Sequence, residues 1–340
     1  MSRPQTYRVG LLLLGDFSHF GLVSATQPLF LANWRAQRPI FSWLTLSADG
    51  LPVRASNGTV VSVDAGLNAR QQLETLLVFA SFEPKRHAED VRLRGALLRA
   101  ANAGIEIGGV ETGSEVLAAA GLLDGRTAAV HWDNLDGFRE RYPKVDAQDV
   151  LFDTQPGRPT CAGGTTVIDL MLHLVAREAG ALLSDEVARQ MVVGRPRLPA
   201  QRQLAAFQPG ENHSDEWVRA AVDLMAGNLD EPLRVAEIAR RVGVSARHLR
   251  RRFQQSTATT LTQYYMTLRL SRAHNLLQQT NLSVTEVAIT AGFRSLEHFS
   301  RVYRAAFGCP PSQDRRQILG APIHRPPLRG VTGRSARAKG

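Results

Sequence analysis

Residues 233–253, LRVAEIARRVGVSARHLRRRF, and residues 282–303, LSVTEVAITAGFRSLEHFSRVY, are two copies of one unit offset by 49 positions. Leu233, Val235, Glu237, Ile238, Ala239, Gly243 and Val244 recur as Leu282, Val284, Glu286, Val287, Ala288, Gly292 and Phe293. One residue is inserted after that point, and Leu249 and Phe253 then answer to Phe299 and Tyr303. Each copy reads as a short helix, a turn at glycine and a second helix, the build of a helix-turn-helix unit. The small Ala239 or Ala288 allows a close helix crossing. Gly243 and Gly292 stand where the first helix ends and a left-handed residue is commonly needed. Ser245 is placed to cap the second helix. Leu249 and Phe253, four residues apart, share the face that packs inward.

The outward face of the second helix then carries Arg247, Arg250 and Arg251 in the first copy. In the second copy it carries Glu297, Ser300, Arg301 and Arg304. Arginines so placed either grip guanine bidentately or neutralise phosphates, and the sequence leaves the two open. Paired amphipathic helices with exposed arginines also occur in repeat scaffolds and bundles. Duplication, glycine turns and positive charge coincide here, which points to double-stranded DNA. A helix over Leu261 to Thr280, about 30 Å long at 1.5 Å per residue, would separate the units by roughly the 34 to 36 Å of one DNA turn.

Charge agrees with that reading. The chain of 340 residues carries a formal net charge of +10. From Glu216 onward there are 20 Lys/Arg against 8 Asp/Glu, a net +12, so the preceding part is slightly acidic at −2. Only the second part is suited to a polyanion. The two cysteines, Cys161 and Cys309, lie far apart and form neither a disulfide framework nor a metal-ligand pattern, as expected in a reducing cytoplasm. The apolar run Val9 to Leu14 is too short for a membrane span and reads as a buried strand. No cofactor or membrane partner is indicated.

Residues 7 to 193 alternate short apolar runs with amphipathic stretches. Strands are expected at Val9–Leu14, Phe41–Ser47, Leu76–Ala80, Ile105–Val110, Ala128–Trp132 and Val150–Thr154, with a small hairpin within Val53–Asp64. Helices are expected at Leu22–Arg35, Ala88–Ala103, Ser114–Ala120, Thr165–Ala179 and Asp185–Met191. Continuous apolar strands separated by helices imply a parallel sheet covered on both faces, a doubly wound, flavodoxin-like α/β domain over 1–193. Breakers mark a linker over 194–214. After it every periodic stretch is helical, giving an all-α domain with two helix-turn-helix units over 215–318. A basic tail rich in Pro, Gly and Arg, expected to be disordered, fills 319–340.

The C-terminal region resembles the AraC-type family of bacterial regulators. The resemblance rests on Val244 to Leu249 with Phe253, Leu268-Arg269-Leu270 with Ala273 and Leu276-Leu277, Ala291-Gly292-Phe293, and above all His298 to Gly308 with Pro310-Pro311-Ser312. It departs at Asp314, where the family carries an aromatic residue before Arg315, and a weaker anchoring of the C-terminal end is expected there. The resemblance implies a transcription activator that contacts RNA polymerase and forms a homodimer through its first domain.

That first domain is similar to the class I glutamine-amidotransferase-like (PfpI-like) superfamily and to the sensor domains of AraC-type regulators that carry it. Gly109-Val110-Glu111-Thr112-Gly113 follows a strand and opens a helix, the context of a nucleophile elbow. Leu122 to Arg126, His131-Trp132 and Ala162-Gly163-Gly164-Thr165 with Ile168-Asp169-Leu170 add to the match. The superfamily's enzymes place a cysteine at the elbow and a histidine near His131. Glu111 removes thiol chemistry there and argues against an amidase-like or protease-like enzyme fused to a DNA-binding module. The resemblance implies a ligand pocket made by Glu111, Thr112, His131, Trp132 and Cys161. Its effector would be cationic or zwitterionic: a small amine, amino acid or betaine whose head group pairs with Glu111 and meets Trp132 by cation–π attraction. Cys161 also reads as a small buried residue.

Overall fold

The computed structural model describes residues 6–67, 72–82, 84–194, 196–199, 201–203, 216–280 and 282–318. The expected tail over 319–340 and most of the expected linker lie outside them.

In chain order the first domain runs β1 (Tyr7–Leu13), α1 (His19–Ala36), β2 (Phe41–Ser47), the hairpin β3 (Val53–Arg54) and β4 (Val60–Val61), then β5 (Ala65–Gly66) and β6 (Thr75–Ala80). It continues α2 (Pro84–Ala88), α3 (Val91–Asn102), β7 (Glu106–Glu111), α4 (Gly113–Ala119), β8 (Thr127–Ala129) and α5 (Leu135–Arg141). Last come β9 (Asp146–Gln148), β10 (Phe152–Asp153), β11 (Thr160–Cys161), α6 (Thr166–Ala179) and α7 (Ala181–Gln190).

The main sheet has the order β10-β11-β7-β6-β1-β2-β5, parallel except for β10. Its inner part, β2-β1-β6-β7-β11, is the doubly wound order with the first strand near the centre. Both faces are dry because alternate residues of each strand enter different cores. Leu11, Leu13, Leu77 and Phe79 pack with α1, α6 and α7, whereas Leu12, Leu76 and Val78 pack with α3, α4 and α5.

Two expected elements of the first domain need correction. Ala128–Trp132 is not a main-sheet strand: β8 ends at Ala129 and pairs with β9 in a sheet of its own, leaving His131 and Trp132 in a loop. The helix expected over Ala88–Ala103 starts only at Val91, because Asp90 accepts from the N–H groups of Arg92 and Leu93 and caps it there, while Pro84–Ala88 forms a separate short helix. The helix α5 had no counterpart among the expected elements.

The second domain is helical throughout its described residues: α8 (Glu216–Ala226), α9 (Val235–Val242), α10 (Ala246–Thr257), α11 (Leu261–Gln279), α12 (Val284–Thr290), α13 (Leu296–Phe307) and α14 (Pro311–Ile318). It has two cores, and α11 serves both. Its first half gives Leu261, Tyr264, Tyr265 and Leu268 to the core of α8, α9 and α10. Its second half gives Leu270, Ala273, Leu276 and Leu277 to the core of α12 and α13. No helix among the described residues is long and apolar enough to cross a membrane.

The weak C-terminal anchoring expected from Asp314 is not what the structure has. Asp314 is buried, and its Oδ2 accepts from the Tyr303 hydroxyl at 2.5 Å and lies 3.0 Å from His274 Nδ1. A polar cluster replaces the aromatic residue and ties α14 to α13 and α11.

Candidate functional site

In each repeat the turn is built as its glycine requires. Gly243 caps α9 at φ +82° and Gly292 follows α12 at φ +75°. A Cβ on Gly292 would fall 2.3 Å from the Leu229 carbonyl oxygen. Ser245 and Ser295 cap α10 and α13 by accepting from the N–H groups of His248 and His298. Leu249, Phe253, Phe299 and Tyr303 are all fully buried, which turns the opposite faces of α10 and α13 outward. Arg247, Arg250, Arg251, Glu297, Arg301 and Arg304 are exposed there and Ser300 is half-buried. These two helices therefore present the guanidinium-bearing faces that the repeat pattern singled out.

The second candidate site lies at the carboxyl end of β7. Glu111 is its last residue and adopts φ +55°, a left-handed conformation that few side chains take up. The turn is held by close backbone approaches. A Cβ on Gly113 would lie 2.0 Å from the Val78 carbonyl oxygen, and one on Gly109 would lie 2.6 Å from the Ser114 nitrogen. The Glu111 side chain crosses directly over Gly163, where a Cβ would meet its Cγ at 2.1 Å. Its Oε1 would stand 3.6 Å from a Cβ at Gly21, in the first turn of α1, so the positive end of that helix faces the carboxylate.

His131 is half-buried and its imidazole pKa is lowered, first by burial and against the opposing charges of Asp133 and Glu111. The Asp133 N–H donates to His131 Nδ1 at 3.2 Å. The Trp132 ring lies 5.2 Å from the imidazole, centroid to centroid, and is partly exposed. Thus Glu111, His131 and Trp132 offer a carboxylate, a neutral imidazole and an indole face. The other two expected residues sit differently. Thr112 is buried and its hydroxyl donates to the Ser81 carbonyl at 2.7 Å. Cys161 is fully buried, and burial pushes its thiol up to about 12, so it supplies no thiolate at neutral pH.

Two residues near this site escaped the sequence reading. Gln203 braces the loop: its Oε1 accepts from the Trp132 N–H at 3.0 Å, and its Nε2 donates to the carbonyls of Val130 and Val150. Arg197 donates to the buried Asp169 through Nε and Nη2, at 3.0 and 2.6 Å, and to Thr165. Both belong to the stretch read only as a linker, whose Pro-rich composition hid two fixed polar anchors.

Comparison with known proteins places both halves. A family model described as a helix-turn-helix domain matches residues 238–317. The HTH-type transcriptional regulator CdhR of Pseudomonas aeruginosa is 42% identical over 331 residues, covering 96% of this chain and 97% of that one. A solved AraC family transcriptional regulator from Pseudomonas putida is 27% identical, with a TM-score of 0.50 over 54% of this chain and 99% of its own. A ThiJ/PfpI family protein from Pseudomonas syringae, 19% identical with a TM-score of 0.50, covers 66% of this chain and 87% of its own and shares the fold.

Proposed function

We infer the function from one premise: the chain belongs to the AraC-type family of HTH-type transcriptional regulators and carries a PfpI-like α/β domain at its N-terminus. It is a DNA-binding transcription regulator. Our proposal is that it activates transcription in response to a small cationic or zwitterionic effector, an amine, amino acid or betaine, held against Glu111. The observation that carries this reading is the left-handed Glu111, whose side chain crosses Gly163 and whose charge acts on the half-buried His131, the imidazole beside Trp132. A carboxylate suits a quaternary or primary ammonium group, and the indole next to His131 would add cation–π attraction.

In this reading Arg247, Arg250, Arg251, Glu297, Ser300, Arg301 and Arg304 meet operator DNA, and the bound regulator contacts RNA polymerase. The working form is a homodimer. Support for it comes from α1, whose outward stripe of Phe20, Val23, Phe30 and Trp34 is about half exposed on each residue, an apolar face of the kind that marks protein contacts. Sedimentation of wild type and a Phe30→Glu/Trp34→Glu variant tests this: loss of the dimer in the variant is expected, and an unchanged state removes α1 from the interface.

The effector is sought by a thermal-shift screen of amines, amino acids and betaines, in which a ligand at 100 times its Kd should stabilise the chain by about 2.7 kcal/mol. Calorimetry with that ligand on Glu111→Gln should show affinity reduced by roughly 2 to 5 kcal/mol while operator binding persists. Unchanged affinity would remove Glu111 from the site. Turnover of the ligand by wild type would favour an enzyme instead.

A further inference from the structure

The loop that follows β8 does two things at once. At its start His131 feels the charge of Glu111 and carries Trp132 beside its ring, and just after them Asp133, with Asp136 in the first turn of α5, touches the other domain. Asp136 Oδ2 accepts from Arg272 Nε at 2.8 Å, and Asp133 Oδ1 accepts from Asn275 Nδ2. Arg272 and Asn275 are three residues apart on α11, hence on one face. Since α11 contributes to the cores of both helix-turn-helix units, whatever shifts it shifts the relative placement of α10 and α13.

We propose that residues 131–136 form an intramolecular docking surface for α11, through which occupancy of the crevice and DNA binding influence each other. This rests on reading the Glu111–His131 crevice as the effector site. The path is short and continuous. The Asp133 main chain donates to His131 Nδ1 and its side chain accepts from Asn275, so a movement of the imidazole is a movement of the docking carboxylate. Trp132 is held by Gln203, which also grips Val130 and Val150, so the loop has one braced end and one end that reports to α11. The docking is small and polar, with Arg272 and Asp136 each partly exposed. A contact of that size can be made and broken, as a switch requires, whereas a large apolar interface would fuse the domains permanently.

Linkage is reciprocal, so DNA must act back on the loop even before an effector is known. The test uses the full chain and a duplex that it selects from random-sequence DNA, and follows amide hydrogen exchange with and without that duplex. Exchange within 130–141 is expected to change by about fivefold or more, the lower end of allosteric coupling. An Asp133→Asn/Asp136→Asn variant keeps the loop's shape and should lose that response while DNA still protects α10 and α13. The charge swap Asp136→Arg with Arg272→Asp should restore part of it. An unresponsive 130–141 segment in the wild type, or a response that survives in the double variant, overturns the proposal. A responsive segment in a chain that no small molecule stabilises would overturn the effector reading and leave the docking standing.

Discussion

In the first helix-turn-helix unit Glu237 accepts from Arg240 and Arg241 at 2.7 and 2.8 Å; in the second its counterpart, Glu286, turns back to the Ser283 main chain and closes a capping box. The same contrast runs through both units. The buried positions agree nearly atom for atom in role: Ile238 and Val287, Ala239 and Ala288, Leu249 and Phe299 are all fully or almost fully buried. Outside, α10 bears Arg247, Arg250 and Arg251, whereas the second unit pairs Arg301 and Arg304 with the exposed apolar Ile289 and Leu296. Each unit is also tied to α11 by its own polar contacts: in the first the Tyr265 hydroxyl donates to the Asn228 carbonyl and accepts from the Leu233 N–H. In the second Arg269 donates to the carbonyls of Ala291 and Gly292 and lies 4.1 Å above the Phe293 ring, and Asp314 joins Tyr303 and His274. A duplicated fold thus keeps its core as a common requirement while its two surfaces take up separate tasks. We expect charge contact with DNA to dominate in the first unit and placement against α11 in the second.

The largest effects should come from the shared core and should be equal in kind. Leu249→Ala is expected to cost about 3 to 5 kcal/mol, and Phe299→Ala a similar amount. Because the two side chains belong to separate cores, hydrogen exchange should report each loss in its own unit; collapse of both units by either change would break the comparison. Next in size, Arg269→Ala removes two hydrogen bonds and a stacked guanidinium, and about 2 to 3 kcal/mol of stability should disappear from the second unit alone. Melting of the first unit along with it would mean that α11 is not anchored where we place it.

Smaller again are the surface arginines. Arg250→Ala should weaken operator binding by about 1 to 3 kcal/mol and relax one base preference if it reads a base, or lower the salt slope by about one charge if it meets phosphate. Arg301→Ala should weaken it less, and the reverse order in salt-dependent titrations would invert our assignment. The smallest effect concerns Glu237, whose carboxyl is held at about 2 by hydrogen bonds from Arg240 and Arg241. A depressed folded pKa contributes stability that is present above the ordinary carboxylate range and lost as pH falls toward 2. NMR should show Glu237 titrating near 2 in wild type and near its ordinary value in Arg240→Ala/Arg241→Ala, with melting at neutral pH almost unchanged because the pair is exposed.

Where a residue's neighbours in sequence decide its environment, the structure was legible beforehand. The strand Phe41–Ser47 and the helix starting at Val235 follow directly from apolar spacing, and Gly243 and Gly292 are fixed by a local left-handed turn. Longer-range pairing was not legible. Nothing in Ala128–Trp132 distinguishes a strand of the main sheet from one that pairs only with residues 146–148, and that difference decides whether His131 lies in a strand or a loop. The helix α5 carries Gly137 and few apolar residues, so it gave no periodic signal, yet it bears the docking Asp136. The partners of Asp314 lie 11 and 40 residues away, which is why its departure from the family pattern read as a loss.

The elbow at Glu111 sets stability against purpose. A residue at φ +55° gives up of order 1 kcal/mol or more of folding free energy that glycine would recover at the same backbone geometry. Glu111→Gly should therefore give a tougher chain with no carboxylate in the crevice, so a screen for thermostability alone would favour its loss. That the chain keeps a charged side chain in so unfavourable a posture makes this position an engineer's warning: if Glu111 holds the effector as proposed, the mutation that most readily hardens the regulator is the one that would leave it deaf.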